Sequence, residues 1–171
     1  MSEILNRAHK EGYAVIAPNV FNLETVRAAV EAASEERYPI ILNYGESLEE
    51  YTDIYEFGYI AKMVANKYDI PVATNLDHGS SLENCIKAIK AQFTSVMLDR
   101  STEEYEDNVR ETKEIVKIAH TVGVSVEAEL GHVGLGINYN LKNHDILTNP
   151  DIAAEYVNKT GVDALAIAIG T

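Results

Sequence analysis

Asp77, His78 and Gly79 close a short β-branched run and stand directly before a helix-start signal, Ser80-Ser-Leu-Glu83. A carboxylate beside an imidazole at such a junction can help hold a divalent cation or move a proton. Comparable junctions follow other short apolar runs: Asn19 after 13–18, Gly45 after 39–44, Asp99 after 94–98, Glu129 after 124–128 and Gly170-Thr171 after 164–169. An oxygen-rich cluster with one imidazole suits a divalent metal such as zinc, with carboxylates free to act around it or as a general base. The competing reading makes the acids solvated helix caps, and Asp99 is most open to it because Ser101 begins a capping pattern two positions on. His78 likewise has a plainer reading as a packed, hydrogen-bonded histidine.

One imidazole does not complete a catalytic zinc site, which ordinarily takes three protein ligands. His9 and His120 fall on expected helices, while His132 and His144 fall in a long glycine- and asparagine-rich stretch, 130–148. That stretch is a candidate active-site lid, with a variable surface loop as the alternative. Schiff-base chemistry is disfavoured, because Lys62, Lys67, Lys87, Lys90, Lys113 and Lys117 fall on expected helices rather than at strand ends. Cys85 lies inside the helix after His78 with no partner histidine in place, so it reads as a small buried residue.

The elements that must carry these residues alternate. Strands are expected at 13–18, 39–44, 71–76, 94–98, 124–128 and 164–169, each but the last followed by an amphipathic stretch. Runs such as Ile40-Ile-Leu42 and Ala164-Leu-Ala-Ile-Ala-Ile169 suit strands buried on both faces. Ser80-Ser-Leu-Glu83 and Ser101-Thr-Glu-Glu104 have capping-box spacing, and Asn149-Pro150 opens a further helix. Gly123 and Gly161 sit where helix C-termini take a left-handed residue.

Polar groups after nearly every strand favour a (β/α)8 barrel, which gathers all strand ends on one face, over an open sheet with ligands at a single switch point. No Gly-x-Gly-x-x-Gly follows the first strand. Such a barrel needs about 250 residues, and the chain has 171. The expectation is therefore an incomplete α/β TIM barrel, with 1–171 as a single domain of about six strands.

Composition bounds the partners. Lys+Arg 14 against Asp+Glu 27 gives a net charge of −13, a field that repels nucleic acid and anionic membranes. No window reaches membrane-spanning length, and a single cysteine fits a reducing cytoplasm.

Five stretches, in order along the whole chain, resemble the class II, zinc-dependent ketose-bisphosphate aldolases: Ala17-Pro-Asn-Val-Phe-Asn-Leu-Glu-Thr25, Asn75-Leu-Asp-His-Gly79, Ser95-Val-Met-Leu-Asp99, Val126-Glu-Ala-Glu-Leu-Gly131 and Gly161-Val-Asp-Ala-Leu-Ala-Ile-Ala-Ile-Gly-Thr171. The resemblance implies a TIM barrel and reversible cleavage of a ketose 1,6-bisphosphate, fructose or tagatose type, to dihydroxyacetone phosphate and an aldehyde. In that family the metal polarises the ketone and stabilises the enediolate. His78 matches the first zinc ligand, Asp99 and Glu129 match carboxylates near the metal, Asp77 matches the proton-exchanging acid, and Asn19 matches a substrate contact. A cytoplasmic homo-oligomer binding Zn2+ and a small phosphorylated sugar is expected.

The family's other two zinc histidines and its phosphate loop follow the sixth strand, so the chain corresponds to the N-terminal portion and is expected to turn over little alone. Gly45 replaces a serine of many relatives. Arg100 stands where many have glycine, either as a cation near an anionic substrate or as a solvent-facing side chain. Gly134-Leu-Gly-Ile137 occupies the place of paired acids, leaving proton abstraction to Asp145 or to a residue outside the chain. The alternatives are an aldolase for another phosphorylated sugar and, from another class, a non-catalytic half-barrel-like chain that associates with a copy of itself.

Overall fold

Alternation along the strands divides the molecule into layers. Ile40, Leu42 and Tyr44 belong to the main core with residues of the helices, whereas Ile41, the next position round, packs with Ile4 and Ala73 in a separate small cluster. Successive side chains of a strand point to opposite faces, so one face of this sheet meets helices and the other lines an interior. The computed structural model describes residues 1–131 and 147–169.

Five strands are present among the described residues: β1 (Ile40–Gly45), β2 (Val72–Gly79), β3 (Ser95–Leu98), β4 (Ser125–Leu130) and β5 (Ala164–Ile167). Every neighbouring pair is parallel, and the order in the sheet is the order in the chain. Helices α1 (Ser2–Glu11), α2 (Leu23–Glu35), α3 (Ile54–Ala65), α4 (Leu82–Lys90), α5 (Tyr105–Thr121) and α6 (Pro150–Thr160) complete the set, with a short 3-10 turn at Glu46–Leu48. From α2 to α6 each helix contacts the next, forming one continuous outer layer. A doubly wound sheet would reverse its strand order and place helices on both faces. Monotonic order with one helical layer is the wall of an incomplete (β/α)8 barrel.

The outer core is aromatic at its centre. Tyr44, Phe57 and Phe93 are buried with ring centroids 4.5 to 5.9 Å apart, and burying each such side chain contributes roughly 1.5–3 kcal/mol. Helix α1 lies on the other side: Ile4 packs against Ile41 and Ala73, and the Ser2 amide donates to Ser125 Oγ at the start of β4 (3.0 Å). It thus covers the N-terminal ends of the strands and leaves their C-terminal ends open.

Three expectations need correction. The run 13–18 is not a strand. Its carbonyls at Ile16 and Pro18 accept from the Ile41 and Asn43 amides (3.2 and 3.0 Å), and Asn19 forms a single parallel bridge with Asn43. Pro18 has no N–H to give, so a reciprocated ladder does not form there. Among the described residues the barrel wall therefore has five strands rather than six, with 13–19 lying along the β1 edge. The helix expected from Ser101 starts at Tyr105, because Asp99 Oδ1 takes the Ser101 amide and hydroxyl into a local turn (2.9 and 2.7 Å). The cap before α4 is Ser81, whose hydroxyl accepts from the Asn84 amide, rather than Ser80.

Other punctuation is as expected. Asn149 caps α6 with Pro150 in its first turn, and Gly123 and Gly161 take φ of 75° beyond the ends of α5 and α6.

Candidate metal centre and catalytic cleft

The end of β2 is built differently from its neighbours. Leu76 pairs with Val96 and Gly79 with Leu98, so three steps on β2 match two on β3 and the strand bulges at Asp77 and His78. His78 has φ 51°, a left-handed conformation that costs a non-glycine residue roughly 1–2 kcal/mol. Gly79 is required by space: a Cβ there would lie 2.6 Å from the Met97 carbonyl oxygen and 2.8 Å from Leu76 Cδ2. The bulge takes Asp77 and His78 out of the β2–β3 ladder at the open end of the barrel, while Asp77 still pairs with Gly45 of β1.

There His78 meets two acids from the next two strand ends. Its Nδ1 lies 2.7 Å from Asp99 Oδ2 and 3.7 Å from Glu129 Oε2. One donor atom from each of the three residues falls within 4.8 Å of the others, the arrangement needed to share one cation. Asp99 divides its oxygens, giving Oδ1 to the Ser101 turn and Oδ2 to His78. The helix-cap reading of this residue does not hold, since Oδ1 closes a local turn and α5 begins only at Tyr105, while Oδ2 is turned to His78.

Glu129 is buried at 6% exposure, and its backbone is held from behind. The Asn108 amide nitrogen on α5 donates to the Glu129 carbonyl (3.0 Å), while Asn108 Oδ1 accepts from Tyr156 (2.6 Å) and Thr112 (3.1 Å). All three side chains are buried, so this satisfied polar triangle fixes where the strand ends.

The acids set the electrostatics. The hydrogen bond from His78 pulls the Asp99 carboxyl well below the usual range, with the Ser101 bonds adding to it. The same bond raises the His78 imidazole to about 9, against a burial effect and with help from the charges of Asp77, Asp99 and Glu129. Burial pushes Asp77 above its ordinary value, Asp99 adds repulsion, and His78 partly offsets both.

Asp77 makes no side-chain hydrogen bond among the described residues and stands outside the three-residue cluster. It shares with His78, Asn19, Phe21, Gly45 and Glu46 a cavity of about 400 Å³. The five expected site residues therefore gather at one end of the barrel: three around a possible cation, two along the adjoining cavity. His132, His144, Asp145, Gly134 to Ile137, Gly170 and Thr171 lie outside the described residues.

Two features were not anticipated. Inside the barrel, the Asn75 amide nitrogen donates to Asn43 Oδ1 (3.2 Å) and to Glu127 Oε2 (2.8 Å), and burial raises the Glu127 carboxyl. The period-two acids of Val126-Glu-Ala-Glu were the available signal, since Glu127 and Glu129 must share a face. Arg100 does not simply point to solvent: its guanidinium is bonded to Glu111 and to the Ser80 carbonyl. Lys62, Lys87, Lys90, Lys113 and Lys117 are helical and Cys85 is buried in α4, as expected, whereas Lys67, also expected on a helix, lies in the turn just after α3 ends at Ala65.

The class-II fructose-bisphosphate aldolase family model matches residues 1–171. A fructose-bisphosphate aldolase of Thermus caldophilus is 46% identical over 174 residues, which cover 99% of this chain and 56% of that protein. A probable fructose-bisphosphate aldolase of Bacillus subtilis is 44% identical and covers 100% and 61%, respectively. The crystal structure of the YdjI aldolase from Escherichia coli superposes with a TM-score of 0.89 at 37% identity, covering 99% of this chain and 61% of that one. The chain thus spans less than two thirds of the length of these relatives. With the match running over every residue, in an order of strands and helices shared with a solved aldolase, the chain belongs to the class II fructose-bisphosphate aldolase family.

Proposed function

We propose that the chain supplies the cation-holding and proton-transferring side of a class II aldolase site, in a whole protein that reversibly cleaves a ketose 1,6-bisphosphate of fructose or tagatose type to dihydroxyacetone phosphate and an aldehyde. The observation that carries this reading is the convergence of His78, Asp99 and Glu129 within 4.8 Å, beside Asp77 on one cavity, in a member of this family. Residues 1–171 act as one domain in this reading.

The donor set fits a divalent cation. One imidazole nitrogen and two carboxylate oxygens suit zinc, and the proton now between His78 and Asp99 occupies the direction a cation would share. A cation held there supplies Lewis-acid polarisation of the substrate carbonyl. Asp77 holds or releases the proton of the substrate hydroxyl as the carbon–carbon bond breaks or forms. Its raised proton affinity, caused by burial, brings it nearer to that task than an ordinary surface aspartate. Asn19 presents an amide that can both donate to and accept from substrate hydroxyls across the same cavity.

A homo-oligomer in a reducing cytoplasm completes the reading, the compartment being in keeping with a single, buried cysteine. The test is cleavage of fructose and tagatose 1,6-bisphosphates by the whole protein before and after chelation. Activity lost with EDTA and restored by zinc supports the reading; cleavage unaffected by chelation contradicts it.

A further inference from the structure

The segment that carries His78 is buried at Gly79 but exposed on either side of it. His78 is left-handed, and both it and Ser80 are exposed. A conformation of that kind persists only where the surroundings fix it. The fixing groups converge on Ser80, two residues on. From the β1 side, Glu46 accepts from the Ser80 amide and hydroxyl, both at 2.6 Å. From the β3 side, Arg100 Nη1 donates to the Ser80 carbonyl (2.8 Å), and its Nε donates to Glu111 Oε2 on α5 (2.5 Å). Between them, the Asp99 amide donates to the Gly79 carbonyl (3.0 Å).

We propose that Arg100 is a positioning residue that, against Glu46, locks the turn at Gly79 and Ser80 and so holds His78 facing Asp99 and Glu129. The functional weight of this clamp rests on the reading of His78 as a metal ligand; the clamp itself does not. Arginine suits the place because a planar guanidinium offers two fixed donors, one for a backbone carbonyl and one for a carboxylate. With both directed inward, Arg100 is engaged in holding the loop rather than presented to an anionic substrate. Groups that orient a metal ligand commonly change metal affinity by 10- to 100-fold when removed.

Charge and positioning predict opposite signs. Deleting a cation beside a metal site should tighten cation binding, whereas loosening the ligand should weaken it. The experiment compares parent, Arg100→Ala and Arg100→Lys by two readouts: zinc affinity by chelator competition, and hydrogen exchange of the Asp99 amide in metal-free protein. The expected result for Arg100→Ala is zinc binding weakened about 10-fold or more, with Asp99 exchange faster by a similar factor and the Phe93 amide unchanged. Arg100→Lys, which keeps the charge, falls between parent and Ala in both readouts and serves if the Ala variant does not fold. Asp99 exchange at the parent rate overturns the proposal whatever the zinc affinity, and zinc binding tighter than the parent's overturns it too. A parent that binds no zinc, with exchange still accelerated in the variant, upholds the clamp and overturns the metal reading instead.

Discussion

His78 Nδ1 and Asp99 Oδ2 are 2.7 Å apart, with Glu129 Oε2 a further approach at 3.7 Å, so the imidazole proton lies between acids that could bind a cation. Proton and metal compete for the same place. Because the imidazole titrates at about 9, zinc affinity should rise as pH increases toward that value and then level. Release of one proton corresponds to about tenfold in affinity per pH unit. Chelator competition between pH 6.5 and 9.5 measures it, and a flat profile would show that His78 does not ligate.

The same pair governs the metal-free fold with the opposite sense. His78 is raised on folding, so its contribution to stability is complete below the unfolded histidine value near 6.5 and is lost as pH rises through about 9. Asp99 is lowered on folding, so its contribution is present above the ordinary aspartate range and is lost as pH falls into acid. Both effects arise from the one His78–Asp99 bond. The His78 side chain is 59% exposed, and after screening the bond contributes no more than about 1 kcal/mol. Thermal melts in EDTA should therefore fall slightly from pH 6.5 to 9.5, and Asp99→Asn should remove that slope.

Gly79→Ala tests the bulge. The added methyl would meet the Met97 carbonyl oxygen at 2.6 Å, an atom that cannot turn aside. Backbone must shift, at a cost of about 1–3 kcal/mol, and His78 should move with it. Urea denaturation and zinc affinity should both deteriorate; unchanged values in both would show that the turn is not fixed by this contact.

Much of this architecture could be read from residues alone, and the failures have physical causes. Near-continuous apolar runs marked β1 to β5 because strands covered on one side by helices and closed on the other side carry few surface positions. The run 13–18 looked equally apolar, yet Pro18 withholds a donor that only the three-dimensional pairing reveals as needed. Asp77, His78, Asp99 and Glu129 were visible because strand order and strand ends are local signals. What joins them was not visible. The bonds of Asn75 to Glu127, of Asn108 to Glu129 and of Arg100 to Ser80 connect residues 20 to 52 positions apart. Ser101 misled because its hydroxyl and amide are drawn to Asp99, a competition that capping spacing does not disclose.

The roles of neighbouring residues separate most directly through zinc content. Purified whole protein, Asp77→Asn and His78→Ala should be compared for bound zinc and for cleavage of fructose 1,6-bisphosphate. Asp77→Asn should keep its zinc while losing about 100-fold or more in turnover, the scale of a proton-transfer group, and His78→Ala should lose both. Equal zinc loss in the two variants, or zinc retained by both, would contradict the assignment of His78 to the metal and Asp77 to the proton.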